Sequence, residues 1–305
     1  MAVVTLLLIS VIAFAGTSGS GRTVALNALG HGVTDAQLDS YVEANGLDRS
    51  LPERYVSWLG GFVAGDWGVS PVTSRSVAED VIPRFRNTLL LALVSLAISL
   101  PVAAGLGLAM AKRQGRWPDT LLLIATVVVA AMPEFVVGIG LISVLAVSLG
   151  WLPVDSTGLA FGDASDQILA YVLPALTLAA GVVPYVARLA RASASETLAA
   201  PYSRAAVLRG LRPRRVVWNY GMRNAAGPLV NAVAINLVYL LSGVIVVENV
   251  FAFPGIGQTL ITAIGQSDTS SVLAITMLLG AMCIVLSLIA DLVVIAFNPR
   301  LKAAA

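Results

Sequence analysis

Charge is scarce in this chain: 12% of its 305 residues are Asp, Glu, Lys or Arg, against 57% hydrophobic and a mean hydropathy of +0.86. Soluble domains carry about 25% charged residues, so that class is excluded and the bilayer is the expected solvent. Cysteine is nearly missing. The one thiol, Cys283, sits inside an apolar run, which excludes a disulfide framework and a thiolate metal site and reads as a buried structural thiol. A lone histidine, His31, excludes a histidine-rich metal centre. Lysine occurs only at Lys112 and Lys302, and no Gly-x-x-x-x-Gly-Lys-Ser/Thr loop is present; without that phosphate cradle the chain cannot hydrolyse ATP by itself. No His-Glu-x-x-His and no acid pair at catalytic spacing is present either, so an intramembrane enzyme is not expected.

What the sequence has in abundance is apolar length. Runs free of charge, or nearly so, extend over Asn87–Ala111, Thr120–Pro133 and on past one acid to Val154, Gln167–Ala187, Asn224–Val247 and Thr269–Ala290. Each reaches the roughly 20 residues that a helix rising 1.5 Å per residue needs to cross about 30 Å of hydrocarbon. A shorter run, Val3 to Ala15, is expected as a first transmembrane helix over 1–16 whose start is truncated; a signal peptide is the rival reading, but no Lys or Arg precedes the run.

The basic residues orient these spans. Lys112, Arg113 and Arg116 stand between the second and third, eight arginines stand between Arg188 and Arg223 against Glu196 alone, and Arg300 and Lys302 close the chain. Thirteen of nineteen basic residues thus occupy alternate connections, which the positive-inside rule assigns to the cytoplasm. Residues 17–86, 151–167 and 249–271 then face outward, and six spans with both ends inside satisfy the pattern: 1–16, 87–111, 119–150, 168–190, 222–248 and 272–297. Pro101, Pro133, Pro174, Pro184 and Pro228 fall in or beside spans and are expected to kink them without breaking them. Residues 17–86, with six Arg, eight acids and the turn signals Asn45-Gly46, Asp66-Trp67-Gly68 and Ser70-Pro71, read as a small folded loop domain.

The stretch Ser193 to Leu211 carries the most information. Pro201 or Tyr202 opens a short surface helix, Tyr202 to Arg209 supplies about two turns, and Gly210 stands where a left-handed cap ends it. Two isolated turns are marginal in water, so the helix must dock, either as a lipid-facing hinge or as a contact with a cytoplasmic partner. Pro213 then opens a basic amphipathic segment with Arg214, Arg215 and Trp218.

Arg204-Ala205-Ala206-x-x-x-Gly210, followed by Arg223-Asn224-Ala225-x-x-Pro228, resembles the EAA loop of ABC-importer permeases in the form seen in the dipeptide/oligopeptide/nickel branch, where Arg replaces the Glu of the general motif. Gly46-Leu47-Asp48-Arg49-x-Leu51-Pro52-x-x-Tyr55-x-x-Trp58-Leu59, Gly65-Asp66-Trp67-Gly68-x-Ser70, Asn87-Thr88-Leu89, Pro133-Glu134-Phe135, Glu248-Asn249-Val250-Phe251-x-Phe253-Pro254-Gly255-Ile256-Gly257, and Asp291 with Asn298-Pro299-Arg300 are similar to the B-type transmembrane subunit of that branch over nearly the whole chain. The resemblance implies an all-α integral membrane protein of about six transmembrane helices with the fold of a type I importer permease, multi-pass in the plasma or inner membrane. It implies an external loop domain at 17–86 after the first helix, a permease core at 87–300 with five helices and a cytoplasmic coupling loop at 191–223, and a cytoplasmic tail at 301–305. The function implied is half of the translocation pathway of an ATP-driven importer of peptides or similar small solutes; nickel, metal chelates or opine-like solutes are the alternative cargo. Implied partners are a C-type permease subunit, two cytoplasmic ATPases holding ATP and Mg, an extracytoplasmic substrate-binding protein and the bilayer, with no nucleic acid and no cofactor or metal in this chain. Tyr202, Arg204, Ala205, Ala206, Arg209 and Gly210 are then the expected ATPase-coupling residues.

Ionisable residues inside a bilayer are rare and costly. Glu134 follows Pro133 near the middle of the third span, where it either lines the pathway for a cationic group or hydrogen-bonds a Ser or Thr of a neighbouring helix. Glu248 is expected at the outer boundary facing the external loop, and Asp291 near the inner edge, paired with Arg300 or a partner. Asn231 and Asn236, five apart on the fifth span, do not share a helical face; one is expected toward the pathway. A secondary transporter, with paired repeats and coupled ionisable sites, finds too few acids here.

Overall fold

The structure, a computed structural model, describes residues 2–19, 21–30, 32–44, 46–156, 164–212, 236, 240 and 242–297. In chain order the helices are α1 Ala2–Thr17, α2 Gly21–Leu29, α3 Asp35–Ala44, α4 Leu51–Ala64, α5 Val77–Lys112, α6 Trp117–Ala131, α7 Glu134–Leu141 passing into a π-helical stretch Ile142–Ser148, α8 Ala164–Ala199 and α9 Pro201–Leu208. After these come α10 (242–250), α11 Ile256–Gly265 and α12 Thr269–Phe297. Among the described residues the only extended pairing is an isolated bridge between Val69 and Ser76. The protein is all-α. Among the described residues three helices are long and apolar enough to cross a membrane: Val77–Lys112, Gln167–Ala199 and Thr269–Val293. The apolar pair Trp117–Ala131 and Glu134–Ser148 is bent by 107° at its break, the form of a broken span or a re-entrant loop. Most of the expected fifth span, 222–248, lies outside the described residues.

That bend corrects one expectation. Pro101, Pro174 and Pro184 do sit inside continuous helices, whereas Pro133 breaks its span. Met132, the residue before it, is extended at φ −82° and ψ 134°, because the proline ring disfavours helical geometry in the residue that precedes it. Pro133 is extended as well, at ψ 142°. Its carbonyl accepts the N–H groups of Val136 and Val137 at 3.0 and 3.2 Å, which starts α7 in a new direction.

The chain forms two compact units. The first comprises 1–88 and 254–284. In it α4 lies along α1 through a run of rings, Phe14, Tyr55, Trp58, Phe62 and Trp67, with successive centroids 5.4–6.1 Å apart. Such offset and edge contacts add about 0.5–1.5 kcal/mol per pair beyond area burial. Ser10 of α1 is fully buried, within 2.7 Å of the Tyr55 hydroxyl. Helix α4 ends on Gly65 at φ +90°, where the N–H groups of Gly65 and Asp66 donate to the carbonyls of Phe62 and Gly61, the paired bonds that close a helix through a left-handed residue. Asp268 is buried and gathers three donors: its carboxylate accepts the Ser70 hydroxyl and both the N–H and hydroxyl of Ser271. Asn87 donates to the Pro254 carbonyl at 2.9 Å and the Thr88 hydroxyl accepts the Ile256 N–H at 3.0 Å. The Asn87-Thr88 and Pro254-Gly255-Ile256 motifs, far apart in sequence, therefore interlock.

The second unit comprises 89–253 and 285–305. Its core gathers Leu91, Ala103 and Met110 of α5, Leu173, Leu178, Val182 and Val186 of α8, and Val244, Val247, Phe251 and Phe253 around α10. Polar groups within the apolar α5 are met internally, Ser95 and Ser99 donating to the carbonyls one turn earlier at 2.7 and 2.6 Å, as a bilayer demands. Gly107 lets α5 and α8 touch along their backbones: a Cβ there would meet the Ala187 carbonyl oxygen at 2.6 Å.

Candidate functional site

Helix α9 is eight residues long and leaves α8 across a one-residue break at Ala200. The break is held by side chains. The buried Ser203 hydroxyl donates to the Thr197 carbonyl at 2.7 Å, the Thr197 hydroxyl donates to the Ser193 carbonyl at 2.9 Å, and the Ser203 N–H reaches the Ala200 carbonyl at 3.1 Å. At its other end Gly210 adopts φ +83° and the Leu211 N–H donates back to the Ala206 carbonyl at 3.2 Å. A left-handed glycine with this long return bond is the usual helix stop. The stop expected at Gly210 is present.

The two faces of α9 differ. Ser203 and Ala206 point inward and are buried. Tyr202, Ala205, Leu208 and Arg209 are exposed, and their spacing of three, three and one places them along a single outward face. Leu208 is 88% exposed. Ala205 and Ala206, both expected as ATPase-coupling residues, do not share a face: consecutive helical residues are about 100° apart, and Ala206 is buried while Ala205 is exposed. Leu208 was missed, although the i, i+3, i+6 pattern from Tyr202 contains it. Asn231 and the Arg204 side chain lie outside the described residues.

Beneath α9 the end of α8 is fastened to its neighbours. Arg191 grips Asp119 in a two-pronged pair, Nε to Oδ1 at 2.6 Å and Nη2 to Oδ2 at 2.7 Å, and Asp119 also accepts the Gly115 N–H at 3.0 Å. One turn away, Arg188 donates to the Thr126 carbonyl at 3.2 Å. Leu108 and Ala111 of α5 pack with Ala194 and Leu198 of α8. Hydropathy and charge counting give Arg191 only as one of the basic residues of its connection and do not pair it with Asp119. A lone acid opening a helix within a basic connection was the available signal.

Glu134 opens α7 and is half-buried. With Val129, Met132, Thr177, Ala180 and Gly181 it lines a cavity of about 20 Å³, room for about one water. Its carboxylate lies so near Gly243 that a Cβ built there would stand 2.5 and 2.6 Å from its two oxygens. Asn236 is buried. Glu248, expected to face the external loop, is fully buried at 0% exposure, and its carbonyl accepts the Phe253 N–H at 2.8 Å. Asp291 is exposed on α12. Among the described residues no group of His, Cys, Asp and Glu is arranged to hold a metal ion.

Residues 102–303 match the family model described as "Binding-protein-dependent transport system inner membrane component", and residues 1–92 match its N-terminal companion. The chain is 34% identical over 269 residues to the glutathione transport system permease protein GsiC of Shigella flexneri serotype 5b (strain 8401), covering 88% of this chain and 85% of that protein. The same figures hold for GsiC of Escherichia coli (strain K12). Against GsiC of Pectobacterium atrosepticum the identity is 32% over 298 residues, 98% of this chain and 95% of that one.

Proposed function

Since this chain belongs to the family of binding-protein-dependent transport system inner membrane components, whose ABC-importer permeases it matches over nearly its full length, we propose that α9 is the surface on which a cytoplasmic ATPase docks. The protein is a membrane permease subunit of an importer for peptide-like solutes. Residues 188–223 then lie in the cytoplasm and 17–86 outside, with a second permease subunit, two ATPases and an extracytoplasmic binding protein completing the machine. Chemical energy then enters from separate ATPase subunits. A small tripeptide-like solute, the cargo named for the relatives, is the first candidate substrate.

One observation carries the reading: the outward face of α9. Eight residues are too few for a free helix in water, and α9 is braced from within by Ser203 and Ala206 yet leaves Tyr202, Ala205 and Leu208 uncovered. An apolar row on a basic connection that is held rigid from behind fits a protein partner better than solvent. Glu134, against Gly243 and a water-sized cavity, is the candidate pathway acid, and the buried Asn236 of the fifth expected span is a second candidate.

The test uses Leu208→Cys with Cys283 replaced by Ala. Cross-linking to the co-expressed ATPase subunit, protected from a membrane-impermeant thiol reagent applied to intact cells, is the expected result. Labelling from outside refutes both the docking and the topology, and a cross-link only to lipid-embedded chains refutes the docking.

A further inference from the structure

The pair Asp119–Arg191 is costly for what it adds to stability. Asp119 keeps only 3% of its side chain exposed and Arg191 23%, and removing two such charges from water often offsets the attraction that they regain. Helix α8 does not need the pair to stay in place, because Gly107 and the Leu108, Ala111, Ala194 and Leu198 contacts already seat it on α5. The pair does something that those contacts do not: it fastens the first turn of α6 to α8. A forked guanidinium on a carboxylate fixes orientation as well as distance, and the second grip, Arg188 on the Thr126 carbonyl, lies two turns further along α6. Two grips on one helix prevent α6 from sliding or rolling against α8. At the far end of α6 the chain breaks at Met132–Pro133 and presents Glu134 to Gly243.

We propose that Asp119 and Arg191 form the joint through which movement of α9 reaches α6 and the Glu134 pocket, so that both are positioning residues for transport. The proposal rests on the reading of α9 as the ATPase-docking surface. When α9 moves, α8 follows through the Ser203–Thr197 bond, and the joint makes α6 follow α8. Without it the Arg188 grip and the packing of α6 on α8 remain, but the first turn of α6 is no longer locked to α8, and more ATP is spent for each movement at Glu134. A rigid coupling of this kind is what a two-state transporter requires between its energy input and its pathway.

Asp119→Asn and Arg191→Lys keep size and remove the charged fork. Each is assembled with the partner subunits and binding protein in proteoliposomes, and ATP hydrolysed per solute imported is measured, with glutathione as the probe solute. The expected result is stimulated hydrolysis within about twofold of the parent and import lowered about tenfold, the upper range for a lost coupling contact. A parallel fall of hydrolysis, import and assembled complex, or an unchanged ratio, overturns the proposal. A second variant removes the question of folding: Asp119→Cys with Arg191→Cys, in the Cys283→Ala background, is bridged by a bifunctional thiosulfonate and then reduced. Bridging is expected to restore the ratio and reduction to abolish it in the same sample; no response to bridging refutes the joint. Leu208→Asp separates this from failure of the underlying reading, since it leaves transport intact only if α9 is not the docking surface.

Discussion

Gly210 offers the sharpest test of the coupling helix because its surroundings are empty. Among the described residues no heavy atom lies within 4 Å of a Cβ built on it, so the effect of a substituted side chain is conformational. At φ +83° an L-residue is disfavoured by about 1–2 kcal/mol, and a β-branched one by more. Asn tolerates this region and replaces glycine at helix ends. A difference of 1–2 kcal/mol changes the ratio of closed to frayed ends about 5- to 30-fold. An eight-residue helix has little reserve against such a change, and the Leu211-to-Ala206 bond is the first to open. Substrate-stimulated ATP hydrolysis by the purified complex in nanodiscs should fall about fivefold for Gly210→Ala and about thirtyfold for Gly210→Val, with Gly210→Asn within about twofold of the parent. Uptake should fall in the same order. Full activity in Gly210→Val, or equal damage from Asn and Val, would refute the argument, since one denies the role of the helix stop and the other denies that backbone strain is the cause.

Leu208→Asp places a charge on the exposed face of α9 without touching its packing; chain levels in the membrane should be unchanged while uptake and stimulated hydrolysis both fall at least about tenfold, as for an apolar interface anchor. Glu134→Gln should lower uptake while assembly and basal ATP hydrolysis persist, and loss of assembly instead would assign Glu134 a structural role. Gly243→Ala drives a methyl into the Glu134 carboxylate; uptake should drop, and shortening the acid with Glu134→Asp in the same chain should recover part of it. Asp268→Ala strips the acceptor from the Ser70 and Ser271 donors; the loss of about 1–3 kcal/mol per stranded buried group should appear as a lower unfolding temperature in detergent and faster proteolysis after Arg75.

Features set by neighbouring residues could be read from the sequence alone. Hydropathy locates the apolar stretches of α5, α8 and α12, because crossing a bilayer is a local demand for apolar length, but not their ends: α5 begins at Val77 where residue 87 is expected, and α8 runs on to Ala199 past residue 190. The stop at Gly210 and the start at Pro201 follow from backbone preferences that glycine and proline carry in any context. What required the tertiary structure are the outcomes decided between segments. Pro133 breaks its span while Pro101, Pro174 and Pro184 do not, although each proline removes the same donor; whether the preceding residue leaves the helix depends on the surrounding packing. Ala206 turns inward and Ala205 outward, because the rotational phase of a two-turn helix is set by what lies behind it, here Ser203 on the Thr197 carbonyl. Asp119 meets Arg191 across 72 positions of chain, and Thr88 meets Ile256 across 168. Charge and hydrogen-bonding capacity are written in each residue, but a pairing is a property of the geometry that brings two residues together, and that geometry exists only after the helices have packed.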